Sequence, residues 1–207
     1  MARLRGGTDQ LAGRANRAPW AYCRTNRTVC LRRPGDGPSW ADRETNMTVA
    51  ESIEALRELA KAWPHEECPW EERPSFRPAS TAQALQEFEV LGGLLLPDDL
   101  RAFFSEVDAI VAMSVHNGYW IGGVEELSQS LRRGDFPAVI GEAPAIPVAT
   151  DGGGNAFLMD ATGRVWRWSQ EDGLLTQISG DFASFLARVV GDFRASYSDT
   201  PGWKYLV

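Results

Sequence analysis

At 207 residues the chain is long enough for one solid domain, or for one domain with an extension, and its 43% hydrophobic and 24% charged content is that of a globular protein. A formal charge of −7 at pH 7 argues against nucleic acid or an anionic membrane as the main partner. No stretch has the apolar length to span a bilayer, and no hydrophobic run follows the N-terminal arginines as a secretory signal requires. Cys23, Cys30 and Cys68 lack metal-ligand spacing and read as reduced thiols of a cytoplasmic protein.

Residues 1–46 stand apart. Nine arginines face four acidic residues there, net +5, which leaves −12 on the rest of the chain. The segment has scattered Gly and Pro and neither helical nor strand periodicity. Three readings are open: a basic arm that binds nucleic acid or folds back on the acidic domain, a disordered extension, or a start assigned too early, with the protein beginning at Met47. Thr48 and Glu51 then form a capping box. Val49, Ile53, Leu56, Ala60 and Trp63 follow at helical spacing up to Pro64, which predicts a helix over 49–62. Residues 64–79 hold four prolines and read as a loop, pinned to the body by Trp70 and Phe76 unless these two bind a partner.

Ser80 and Gln83 predict a second capping box and a helix through Leu85, Phe88 and Leu91, ended by Gly92-Gly93. Pro97 fits the first turn of a third helix whose positive end carries Asp98 and Asp99 and whose buried stripe is Leu100, Phe103, Phe104 and Val107. Ile110–Val115 and Tyr119–Ile121 predict a hairpin closed by His116-Asn117-Gly118. A short helix over Val124–Arg132 and a loop over 134–145 come next. From Ile146 to Trp168 apolar β-formers alternate with glycine turns, a meander that continues into a strand at Leu174–Ile178. Ser179 or Asp181 caps a last helix with Phe182, Phe185, Leu186, Val189, Val190 and Phe193 on one face. Burying these six side chains at ~1.5–3 kcal/mol each makes that helix a main source of stability. The polar tail 194–207 has Trp203, Tyr205 and Leu206 to dock its end. The expected architecture is α+β, a mixed or antiparallel sheet packed against helices.

No reactive constellation emerges. Asp151-Gly-Gly-Gly-Asn155 has the glycines of an anion nest but not the ending of a P-loop, and reads first as a strand-to-strand turn. His65 and His116 have no partner at zinc-ligand spacing, and His116 on its turn is expected in solvent. The pairs Asp98-Asp99, Glu125-Glu126 and Glu171-Asp172 diverge rather than face one another, so glycosidic chemistry lacks its second carboxylate. No catalytic residue, cofactor or metal is expected. Trp166 and Trp168, two apart on one strand, project from one face. They are core if that face meets the helices and an exposed recognition patch if it is open, and Trp120 is open to the same two readings.

The order of elements over 49–193 resembles the SMI1/KNR4 family of the SUKH superfamily. Phe88-Glu89-Val90-Leu91-Gly92 with Leu96-Pro97-Asp98-Asp99-Leu100-Arg101-Ala102-Phe103 resembles that family's helix, glycine and Leu-Pro segment. Trp120–Leu127 is similar to its strand and Gly element, and Ile146-Pro147-Val148-Ala149 with Asp151-Gly152-Gly153-Gly154-Asn155 to its Ile-Pro and Gly-rich signature. Ser184-Phe185-Leu186 resembles its closing element. Many members place Asn-Gly after the Leu-Pro helix, where this chain has Asp108-Ala109. The resemblance implies a domain over 47–193, flanked by the 1–46 extension and the 194–207 tail. It further implies a non-enzymatic protein binder, either a bacterial immunity protein that neutralises a cognate toxin, such as a nuclease, or a regulatory module that binds an endogenous protein. The expected partner is therefore a protein, with no nucleic acid or membrane, and the chain a monomer or weak oligomer. For a cationic partner the candidate contact residues are Glu66, Glu67, Glu71, Glu72, Asp98, Asp99, Glu125 and Glu126, with Trp120, Trp166 and Trp168.

Overall fold

A computed structural model describes residues 47–63 and 72–206. The extension 1–46, the candidates Glu66, Glu67 and Glu71, and also His65, Trp70 and all three cysteines lie outside the described residues. Helix α1 (Val49–Lys61) opens with the expected capping box: the Glu51 amide donates to Thr48 Oγ1 at 3.2 Å and the Thr48 amide to Glu51 Oε2 at 2.8 Å. Strand β1 (Ser75–Phe76) follows inside the segment read as a loop, and its Phe76 packs against the core.

Helix α2 (Ala82–Gly92) is capped by Thr81, not by Ser80. The Ser80 hydroxyl is drawn away to Asp108 at 2.5 Å, and the Gln83 side chain turns to Glu87. Gly92 is demanded by packing, because a Cβ there would lie 2.4 Å from Cγ2 of Ile146. Helix α3 (Asp98–Glu106) starts one residue after Pro97, which stands at its N-cap.

Strands β2 (Ala109–Ala112) and β3 (Tyr119–Gly122) are joined by residues 113–118 rather than by a tight Asn-Gly turn. The first strand therefore ends before Val115, and His116 takes a φ of 48°. Helix α4 (Val124–Arg133) leads to β4 (Val139–Ile140), which pairs with the start of β5 (Ala143–Asp151), so the expected 134–145 loop contains a small hairpin. The meander follows as β6 (Ala156–Asp160), β7 (Val165–Trp168) and β8 (Leu175–Ser179). Helix α5 (Phe182–Tyr197), capped by Asp181, runs four residues past Phe193.

The sheet order is β1-β2-β3-β5-β6-β7-β8, with β4 on the side of β5, and every pairing is antiparallel. Helix α5 lies directly on one face, with Phe185 5.1 Å from Phe157 and Phe193 6.5 Å from Tyr119 between ring centres. Helices α1 and α3 pack on α5, and α2 packs on α4. The protein is thus an α+β fold with an antiparallel sheet against helices.

One buried carboxylate ties helix, sheet and tail together. Asp192 of α5, fully buried, accepts hydrogen bonds from the Tyr119 hydroxyl of β3, from Trp203 Nε1 at 2.7 Å and from the Leu206 amide at 3.0 Å. Burial, and then the Asp192 charge beside it, push the Tyr119 phenol far above its usual range, so it stays a donor. Tyr205 in turn packs against the exposed His116, the tilted rings 4.2 Å apart between centres. Asp192→Ala leaves three donors without their acceptor and is expected to lower stability by about 2–4 kcal/mol in urea titrations. Faster tryptic cleavage at Lys204 than in the wild type would trace that loss to the tail.

Candidate protein-binding surface

Register decides what each sheet face carries, because residues paired across antiparallel strands share a face. Phe76, Ile110, Ile121, Ala149 and Phe157 form one cross-strand row towards the helices. The neighbouring row on the opposite, outer face runs Ser75, Val111, Trp120, Thr150, Ala156, Trp168 and Leu175. A second outer row is Pro147, Leu158, Trp166 and Gln177. Trp120, Trp166 and Trp168 therefore all lie on the outer face, half-buried. The reading of Trp166 and Trp168 as core beneath the helices is corrected: the helix-facing residues of β7 are Val165 and Arg167, and only Val165 joins the main core.

Each indole is held in place. Trp168 packs edge-on against Phe136 at 5.9 Å, so the segment leading from α4 to β4 reaches onto this face. Trp166 donates its indole N–H to Asp160 at 2.9 Å, and the Arg164 guanidinium sits 5.7 Å from its ring centre. Trp120 is covered by Arg77 at 4.8 Å. Between Trp120 and Trp168 the row holds Thr150 and Ala156, both small side chains.

Arg77 connects the Trp120 end of this face to its charged rim. It pairs with Glu126 at 2.6 Å and lies 3.9 Å from Asp108, whose Oδ1 accepts from the Val124 amide at the start of α4. Beside it a cavity of about 340 Å³ is lined by residues that include Ser80, Asp108, Glu125, Ser128 and Arg132. Trp120 Nε1 and Glu126 Oε2 are both buried without a hydrogen-bond partner. Each would lie 2.8 Å from a Cβ at Gly123, a position with φ +84°, so glycine is the residue that fits there.

The acidic candidates divide by task. Glu72, Asp98 and Glu125 are exposed. Asp99 instead accepts from the Phe182 and Ala183 amides at 2.9 and 3.1 Å, capping the N-terminus of α5 from another helix. Glu126 is spent on Arg77. Glu72 precedes β1 beside the 113–118 connection, whereas Glu125 stands at the other end of the β2–β3 pair and Asp98 opens α3 in the helix layer, so these acids are spread over the surface rather than gathered in one cluster.

Two aspartates shape the turns beneath the face. Asp151 Oδ1 accepts from the Gly153 and Asn155 amides at 2.8 and 2.9 Å, and the Gly152 amide donates to the Asn117 carbonyl. The donors of the Gly-rich turn are consumed by the chain's own oxygens, which makes it a strand-to-strand turn. Asp160, nearly fully buried, is opposed by desolvation, yet bonds from Thr162, Trp166 and the Thr162 and Arg164 amides hold its carboxyl below the ordinary range. Among the described residues no group of three or more His, Cys, Asp or Glu is placed to hold a metal ion.

Comparison with known families matches residues 79–188, from the approach to α2 into α5, to the family described as SMI1 / KNR4 family (SUKH-1). No curated protein matches the chain.

A carboxyl with a depressed folded-state pKa stabilises the fold fully above its unfolded value, about 3.9, and ceases to do so as pH falls through the folded value. Asp160→Asn is therefore expected to lower the urea midpoint at pH 7, and the gap to the wild type should close below about pH 4. A gap that persists unchanged to pH 2 would contradict this role of the Asp160 charge.

Proposed function

The chain belongs to the SMI1/KNR4 family (SUKH-1), and on that footing we propose that it is a non-enzymatic immunity protein whose outer sheet face binds a cognate bacterial toxin. One observation carries the choice of face: Trp120, Trp166 and Trp168 share it, half-buried and held by Arg77, Asp160 and Phe136. Tryptophans restrained in this way present large apolar area at little further entropic cost on binding, the chemistry of interface hot spots. The acidic surface supplies the second requirement. The chain beyond its first 46 residues carries −12, and Glu72, Asp98 and Glu125 are exposed on its surface, Glu125 accepting from the Gln129 side chain one turn along its own helix. A cationic partner, such as a nuclease with a basic substrate groove, is drawn to that field and encounters it faster. Inhibition then requires only that the groove be covered, with no bond made or broken. Such a protein works in the cytoplasm, where the toxin would act, and as a monomer.

The test is co-expression of the full chain with the product of the gene beside its own. Rescue of growth and co-purification are expected. In the purified pair, Trp120→Ala combined with Trp168→Ala should weaken binding by about 2 kcal/mol or more, chiefly through faster dissociation. Glu72→Lys, Asp98→Lys and Glu125→Lys together should slow association at low salt and have little effect at high salt. Wild-type kinetics from both sets would reject the surface. Capture of an endogenous protein in place of any neighbouring gene product would assign the chain to the regulatory branch of the family's roles.

A further inference from the structure

The two edges of the sheet are built differently. At one edge β1 has two residues, sits between Pro74 and Pro78, and is followed by Arg77 over Trp120. Short length, proline and a charged side chain are the devices that stop an edge from pairing with another chain. At the other edge β8 has none of them. It is five residues long, and Gly173–Gly180 contains neither proline nor charge. Among the described residues β8 pairs with β7 alone. The bulge in the β7–β8 ladder falls between Val165 and Trp166, so the pairing from Trp166 with Gln177 to Trp168 with Leu175 is regular.

Hydrogen-bond direction follows from the register. The Ser169 amide donates to the Leu174 carbonyl at 2.9 Å, and in an antiparallel ladder such pairs alternate. The Thr176 backbone therefore faces β7, and the amides and carbonyls of Leu175 and Gln177 face outward. We propose that this edge is a strand-addition site for an extended segment of the partner protein, with a neutral, β-forming centre and basic residues at its ends. The inference rests on the reading of the protein as a binder of a cationic partner and names how part of that partner is held.

The charges at the ends of β8 select the occupant. Glu171 and Asp172 in the β7–β8 turn flank one end and Asp181 the other, all three exposed. Five residues span about 17 Å, so lysines or arginines five to six positions apart on an incoming strand meet both acidic ends. A second copy of the chain is disfavoured by the same geometry. Antiparallel self-pairing would set the turn acids of one copy against Asp181 of the other. The outer face adds side-chain selectivity, because an incoming residue opposite Leu175 extends the row of Trp168 and Leu175 and favours an aromatic or β-branched side chain. Leu174, 63% exposed at the start of the edge, offers a further apolar contact.

The probe is a synthetic nonapeptide with two lysines at each end of an alternating valine–threonine centre, titrated into the full chain. Saturable binding is expected, with slowed hydrogen exchange at the Leu175 and Gln177 amides. The same peptide N-methylated at alternate amides should bind at least tenfold more weakly, and so should a glutamate-ended version at low salt. Gln177→Pro, which removes an outward donor, and Thr176→Lys, which leaves every backbone group in place and repels the basic ends, should each weaken binding tenfold or more. Unchanged circular dichroism of Thr176→Lys guards against misfolding as the cause. Equal binding of the N-methylated peptide, protection elsewhere than β8, or no binding at millimolar peptide overturns the proposal. So does a wild-type dimer that Thr176→Lys dissociates, which would give the edge to a second copy. If Thr176→Lys captures the cellular partner like the wild type while the tryptophan variants do not, strand addition fails and the binding function stands. If the peptide behaves as expected and no protein partner is found, the reverse holds.

Discussion

Everything in this structure depends on one contact layer, the apolar stripe of α5 laid across the helix-facing side of the antiparallel sheet. Phe185 meets Phe157, Phe182 meets Phe103, and Phe193 reaches both Tyr119 and Trp63. A sheet of short strands is not stable until one face is dried, and α5 dries it. The polar links then fix the helix to its neighbours. Asp99 of α3 caps its first turn, and Asp192 near its last turn joins it to β3 and to the tail. Because those carboxylates are held by several donors each, the helix has one position and one rotation on the sheet.

Covering one face with helices leaves the other to be managed by the sheet's own side chains. Pro147, Ala156 and Leu158 are buried on it, with Leu158 beside Trp166 and Ala156 beside Trp168 in register and Phe136 packed on Trp168. Such a face is half-finished as a core, the condition that the proposed interface would use. The indoles have a dry side that stabilises the sheet and an accessible side that a partner can desolvate further. The same residues can therefore serve the fold and recognition, and the anchoring of each indole by a charged or aromatic neighbour limits the rearrangement that binding would need.

Polar residues divide by whether their hydrogen bonds are satisfied within the chain. Asp99, Asp151, Asp160 and Asp192 all spend their oxygens on backbone amides or side-chain donors of the chain itself. They hold turns, caps and the tail, and none is free to greet a ligand. Glu72, Asp98 and Glu125 are exposed, Glu125 bonded to Gln129 on its own helix, and contribute field more than structure. The sheet edge at β8, paired with β7 alone among the described residues, belongs with these exposed groups, since outward amides and carbonyls are the backbone's equivalent of a polar side chain.

Local chemistry determined which elements exist. The capping box at Thr48, the Gly92-Gly93 stop, the glycine turns and the six-residue stripe of α5 each act over a few residues, so composition and spacing alone revealed the helices, the meander and the α+β class. Where a distant group competed, local reading failed: Ser80 left its helix for Asp108, twenty-eight positions away, and the cap passed to Thr81. The two-position spacing of Trp166 and Trp168 placed them on a common face, but which face was set only by register against β6 and by the side on which α5 packed. Likewise the acidic residues looked alike in sequence, and only partners such as Phe182, eighty-three positions from Asp99, separated the structural ones from the exposed ones. Periodicity is a property of a segment and survives in isolation, whereas face, edge and hydrogen-bond satisfaction are relations between segments that arise only when the chain has folded.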